Sequence, residues 1–222
     1  MEKSSSRSQG SASSFEADST DLHLRSKMRT VRMLDTARVG TTALALLMGL
    51  TVLGISANTL RVYRETHVSS DFLLPLWPDE FNARPTVSLV IGSSIVLVSN
   101  IVALCFSQVR TLRARATAHT SVTFVAPLVG LAGALVAVIF YYAVNASVTT
   151  DTFLSWTCRW KDVSMSQQPH WGTLCQQSHA GLYLAILLLP VEVVALALAA
   201  RQMQLERYTD RYLAARKTPV LA

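Results

Sequence analysis

Apolar residues along this chain gather in long blocks instead of alternating at the period of a strand or of a half-buried helix. Four blocks stand out, over residues 39–60, 86–108, 121–144 and 181–200, with cores such as "ALALLMGLTVLGI", "VSLVIGSSIVLVSNIVALCF", "FVAPLVGLAGALVAVIFYYAV" and "GLYLAILLLPVEVVALALAA". Each is 20 to 24 residues long. At ~1.5 Å of rise per residue, each crosses a hydrocarbon core of ~30 Å. A soluble protein can bury one helix of this kind, but hardly four. The pattern predicts an all-α polytopic membrane protein with four transmembrane helices in a bundle. The first block begins only at Val39, after a long polar stretch. It is too long for the apolar region of a signal peptide, so it reads as a signal anchor that is retained.

The segments around the blocks differ in kind. Residues 1–24 are rich in serine and nearly free of apolar side chains, which predicts a disordered tail because too little surface can be buried to offset the entropy of ordering. Residues 25–205 form the membrane domain, and 206–222 a basic tail that is partly an amphipathic helix. Arg25, Arg29 and Arg32 share one helical stripe before the first span, and Leu205, Tyr208 and Tyr212 share another after the last. Both stretches suit the surface of the inner leaflet. The first connection, "DFLLPLWPDEFNARP", holds three prolines that preclude a regular helix, and its "LLPLW" is apolar enough to enter the interface. Pro85 stands where the second helix should begin, a favoured first-turn position.

Composition agrees with a membrane location and charge supplies an orientation. Half of the residues are hydrophobic and only 15% are charged, against about 25% charged in soluble domains. With four spans, both tails and the middle loop share one side. That side holds fifteen Lys and Arg against five on the other, so both termini are expected in the cytosol. Counting acids too, the cytosolic segments carry +8 and the outer ones −1, with Glu192 left inside a block. The formal charge of +6 therefore points to anionic inner-leaflet lipid and not to nucleic acid. Setting the topology is its simplest role. The expected location is the plasma membrane or a secretory-pathway membrane.

All four tryptophans, Trp77, Trp156, Trp160 and Trp171, fall on the outer side, as do two of the three cysteines. An oxidising exterior predicts a disulfide between Cys158 and Cys175, stapling the second outer loop. A zinc site would need His170 or His179 beside them, and neither the cysteines nor the histidines have metal-finger spacing. A nucleophilic cysteine would need a base and an oxyanion site, and neither is visible. No metal, cofactor or catalytic residue is expected. The tryptophans, with Tyr141 and Tyr142 at the outer end of the third block, are expected to pack on the staple or form an interfacial aromatic belt. Asn145 opens a glycosylation sequon, Asn145-Ala146-Ser147, but so close to the third span that the bilayer should hide it.

Glu192 is the one ionisable residue inside an apolar block, and such a group is a functional-site hypothesis by default. It follows Pro190, whose missing N–H frees the Ile186 carbonyl and invites a kink. Glu192 and Asn100 each lie eight residues from the inner end of their span, so they share a depth. The same level on the third span falls at Val129 and Gly130, within "GLAG", where small residues allow close approach. One reading pairs a protonated Glu192 with Asn100 as a structural hydrogen bond. The others are a proton or ion relay and a Glu facing lipid or a cavity. A relay ordinarily has several ionisable groups in series, and the spans hold one.

Several four-span families invite comparison. The chain lacks the Cys-Cys-Gly of tetraspanins, and its first outer loop lacks the cysteine pair of claudins. The basic entry "RMLDTAR", the stretch "LPLWPDEFNARPTVSL" and the short basic loop "RTLRARA" resemble MARVEL-like four-span proteins of the type found in filamentous fungi, over about residues 28 to 205. That resemblance carries over no catalytic residue. It implies a non-enzymatic role in membrane organisation, scaffolding or traffic, through helix packing and contact with membrane lipids, other membrane proteins or further copies of the chain. The alternative is a small transporter or a membrane-bound accessory enzyme, in a lipid or secondary-metabolite pathway, centred on Glu192.

Overall fold

The computed structural model describes residues 9–67, 76–78, 80–108, 116–147 and 150–217. The order is α1 (Gln9–Thr66), β1 (Phe81–Asn82), α2 (Arg84–Gln108), α3 (Ala116–Ala146), β2 (Asp151–Thr152), α4 (Phe153–Arg159) and α5 (Trp171–Lys217). Among the described residues, four helices are long and apolar enough to cross a membrane, over Arg29–Thr66, Arg84–Gln108, Val122–Ala146 and Trp171–Leu205. By length and composition this is a multi-pass integral membrane protein.

Every predicted block lies inside one of these helices, and the helices run further than the blocks. The hydrocarbon core limits the apolar stretch, whereas a helix continues wherever its polar turns still find partners. α1 thus reaches Thr66 and α5 starts at Trp171. Residues 171–180, expected as loop, are the first turns of α5. α1 is also helical back to Gln9, through most of the segment expected to be disordered. Extending an existing helix avoids the nucleation cost that a separate one would incur. Residues 1–8 and 218–222 lie outside the described residues. α2 begins at Arg84 with Pro85 in its first turn, where the missing N–H costs nothing.

The long helices pack cyclically, each of α1, α2, α3 and α5 against the next, with α5 closing on α1. α2 and α5 are diagonal partners, as are α1 and α3. Three apolar layers fill the interior. Val62, Trp77, Phe153, Trp171 and Leu174 form the end layer. Val52, Leu89, Tyr141, Leu182 and their neighbours form the next, and Ala45, Val96, Ala134 and Leu188 the third. Along these layers α1 and α3 descend in number while α2 and α5 ascend, so the bundle runs up and down. Its exterior is as apolar as its interior: Leu47, Ile91, Val98, Val136, Ile139 and Leu187 are all more than half exposed. Ser93, Ser99, Asn100 and Glu192 are buried instead. Polar groups inside and aliphatic ones outside suit a lipid solvent, which supplies no hydrogen bonds.

α2 and α3 approach most closely at two glycines. A Cβ on Gly92 would collide with that of Ala137, and one on Gly133 would lie 2.9 Å from Ile95 Cγ2. Glycine is what lets these backbones meet.

Candidate functional site

Glu192 sits at the centre of the bundle, fully buried. Its Oε1 accepts a 2.7 Å hydrogen bond from Asn100 Nδ2, across the diagonal between α5 and α2. The same amide donates to the Val96 carbonyl at 2.9 Å. α3 contributes Gly130, where an added Cβ would stand 3.1 Å from both Glu192 Oε1 and Ser99 Oγ. The depth match between Glu192, Asn100 and Gly130 is thus realised as contact. The amide is the donor in this pair, its two N–H groups serving the Val96 carbonyl and Glu192 Oε1. Glu192 Oε2 has no partner among the described residues.

A second polar cluster lies nearer the termini. Arg38 is only 6% exposed. Its Nη2 donates to Asp35 Oδ1 at 3.0 Å and to Ser107 Oγ at 3.3 Å, tying α1 to α2. From the sequence Arg38 counted only as a topology charge. The signal available was the Asp35–Arg38 spacing of three, which places opposite charges on one helical face. Between this cluster and Asn100 lies a small cavity of about 10 Å³, bordered by Arg38, Thr42, Asn100, Ser107 and Thr123. That is room for about one water.

The opposite end of the bundle is closed by an aromatic cap. Trp77 packs edge-on against Tyr63, Phe81, Phe153 and Trp171, with ring centroids 5.0–5.6 Å apart. Its indole N–H donates to Thr66 Oγ1 at 2.9 Å. The cap joins segments far apart in sequence, and β1 and β2 reinforce it by pairing in parallel, Phe81 with Asp151 and Asn82 with Thr152. Thr152 then caps α4, its side chain accepting from the Ser155 N–H while Ser155 Oγ accepts from the Thr152 N–H. This reciprocal arrangement satisfies donors the helix would leave open.

The expected interfacial belt is therefore only part of the picture. Trp77 and Trp171 are 3% and 5% exposed and belong to the cap, and Tyr141, 3% exposed, belongs to the core. An indole whose N–H finds an internal partner is stable inside, so nothing drives Trp77 outward. Tyr142 and Trp160 are exposed. Trp156 tilts against Trp160 with centroids 5.8 Å apart and carries the Arg159 guanidinium over its face. The Asn145 side chain is engaged on both atoms, donating to the Tyr141 carbonyl at 2.8 Å and accepting from Thr152 Oγ1 at 2.6 Å. It fastens α3 to the cap.

Cys158 and Cys175 are paired as a disulfide with Cα atoms 4.8 Å apart. The bond runs from α4 to the second turn of α5, so it staples helix to helix and closes the connection between them. His179 Nδ1 or Nε2 lies within 4.8 Å of both sulfurs, one helical turn beyond Cys175. The spacing of four between Cys175 and His179 was the signal for that contact. Sulfurs bonded to each other have no thiolate to offer a metal. Cys105 is a free, exposed cysteine on α2. No family model, curated protein or solved structure matches the chain.

Proposed function

We propose that the chain is a non-enzymatic, MARVEL-like four-span protein that organises membrane through lateral packing and lipid contact, with both termini in the cytosol. The packed centre carries this reading. Glu192 is enclosed by Asn100, Ser99 and Gly130 without surface exposure. The cavity beside Asn100 has a volume of only about 10 Å³. A relay needs a wet path to its ionisable group, and this centre is built to close one. The apolar outer surface is the face that would meet lipid, other membrane proteins or another copy of the chain.

The competing transporter reading draws on the unpartnered Oε2 of Glu192. Two measurements separate the readings. Purified protein in liposomes should show no proton uptake that depends on Glu192. A tagged chain in cells should locate to the plasma membrane or secretory pathway and cross-link to other membrane proteins or to itself. Proton uptake that disappears in Glu192→Gln would replace the proposal with the transporter.

A further inference from the structure

The face between α2 and α3 carries a long apolar groove that the packing of the bundle does not use. Its wider part, about 790 Å³, is lined by Phe81, Ser88, Ile91, Val136 and Phe140, with Arg84 and Asn82 at its mouth. Ile95 and Val129 belong both to this part and to a further 570 Å³ stretch that continues toward Val102 and Val122. The groove is therefore continuous. The Gly92 and Gly133 contacts give it its floor, since the two backbones meet there with no side chain between them.

The mouth is unlike the rest. Arg84 is exposed, and its guanidinium has no ion pair or hydrogen bond among the described residues. At the same end Arg61 pairs with Glu65 and Arg159 with Asp151, while Arg64, like Arg84, has no ion pair among the described residues but does not border the groove. Asn82 Oδ1 accepts the Arg84 backbone N–H at 3.0 Å, which holds the Asn82 side chain at the first turn of α2, and both residues border the groove. A guanidinium and an amide over an apolar channel match a phosphodiester with a hydrocarbon tail. The length fits as well. From Arg84 to Ile95 is eleven residues of α2, or ~16 Å at helical rise, close to half of a ~30 Å hydrocarbon core. That is the depth of one leaflet.

We infer that this groove binds one glycerophospholipid from the leaflet on the tryptophan-bearing side, its phosphate held by Arg84 and Asn82 and an acyl chain lying over Ile91 and Val136. The inference rests on the function proposed above and names the lipid chemistry that the lateral surface selects.

The test uses the full chain in detergent micelles, titrated with dioleoyl phosphatidylglycerol and read by native mass spectrometry. One lipid should bind, and dioleoylglycerol, with the same chains and no phosphate, should bind far more weakly. Arg84→Gln should weaken binding roughly tenfold, the order expected for a hydrogen bond to a charged group. Val136→Trp should fill the groove and prevent binding. Val136 is 66% exposed, so the bundle itself is spared. Arg61→Gln, at the same end but ion-paired to Glu65, should leave binding unchanged. Equal binding of the two lipids, or an Arg84→Gln chain that holds lipid as well as the parent, would overturn the inference. So would a dimer that Val136→Trp dissociates, which would make a second copy the occupant. A chain that binds no lipid here and takes up no protons would sink the groove alone and leave the proposed function standing.

Discussion

Replacing Glu192 by glutamine and by leucine separates an acceptor from a proton. In the structure Glu192 Oε1 accepts from Asn100 Nδ2 at 2.7 Å and Oε2 has no partner. Glutamine can set its carbonyl at the Oε1 position and its amide nitrogen where Oε2 stands, losing no hydrogen bond. Its stability should therefore stay within ~0.5 kcal/mol of the parent, the range of substitutions that disturb no specific feature. Leucine removes the acceptor, while Asn100 keeps its bond to the Val96 carbonyl. One intramembrane hydrogen bond is lost, about 0.6 kcal/mol on average and up to about 1.7 in measured cases. Combined with Asn100→Leu, the double-mutant cycle should return a coupling energy in that same interval. The assay is unfolding of the purified protein in mixed micelles with rising SDS, followed by tryptophan emission. A Glu192→Gln chain as unstable as Glu192→Leu would refute the reasoning, because the carboxyl proton would then matter to the fold. A coupling energy of zero would refute the pair itself.

Three further outcomes are expected. Cys158→Ser, Cys175→Ser and the double substitution should each destabilise the chain by a similar amount, about 3 kcal/mol on the chain-entropy model for a loop of this size, and peptide mapping without reductant should recover the two cysteines linked. A cysteine at Arg113 should resist membrane-impermeant thiol reagents in intact cells while one at exposed Lys161 reacts; the opposite result would invert the topology. Trp77→Ala should cost about 3–5 kcal/mol, as large aromatic deletions in cores do, whereas Trp160→Ala, on an exposed ring, should change thermal stability little.

What the sequence reveals depends on which physical rule decides each feature. Bilayer thickness imposes span length, so the four blocks are legible in composition alone. Depth is legible too, since counting from the inner ends along regular helices brings Asn100, Glu192 and Gly130 to one level. The pairing of β1 with β2 is not legible, because two residues a side carry no periodicity. Nor is the burial of Trp77 and Trp171. Tryptophan suits both an interface and a core, and only the convergence of Tyr63, Phe81 and Phe153 around Trp77 decides between them. Arg38 was hidden by its own charge, which the topology count absorbs before its hydrogen bonds to Asp35 and Ser107 come into view. The polar first turns of α5 read as loop because hydropathy reports the hydrocarbon boundary and not the helix end.

The aromatic cap has a consequence for how the protein is made. Tyr63 leaves the ribosome with the first span, Trp77 and Phe81 precede the second, Phe153 follows the third, and Trp171 opens the last. Roughly a hundred residues separate the first ring from the last, so at ~5–20 residues per second the cluster stays open for ~5–20 s of synthesis. Until α5 arrives, Trp77 lacks one of its facing rings and Cys158 lacks its partner. A chain stalled or truncated before residue 171 presents an open aromatic face and an unpaired Cys158 thiol together. Closure of the cap is thus a chemical report that the fourth helix has been inserted.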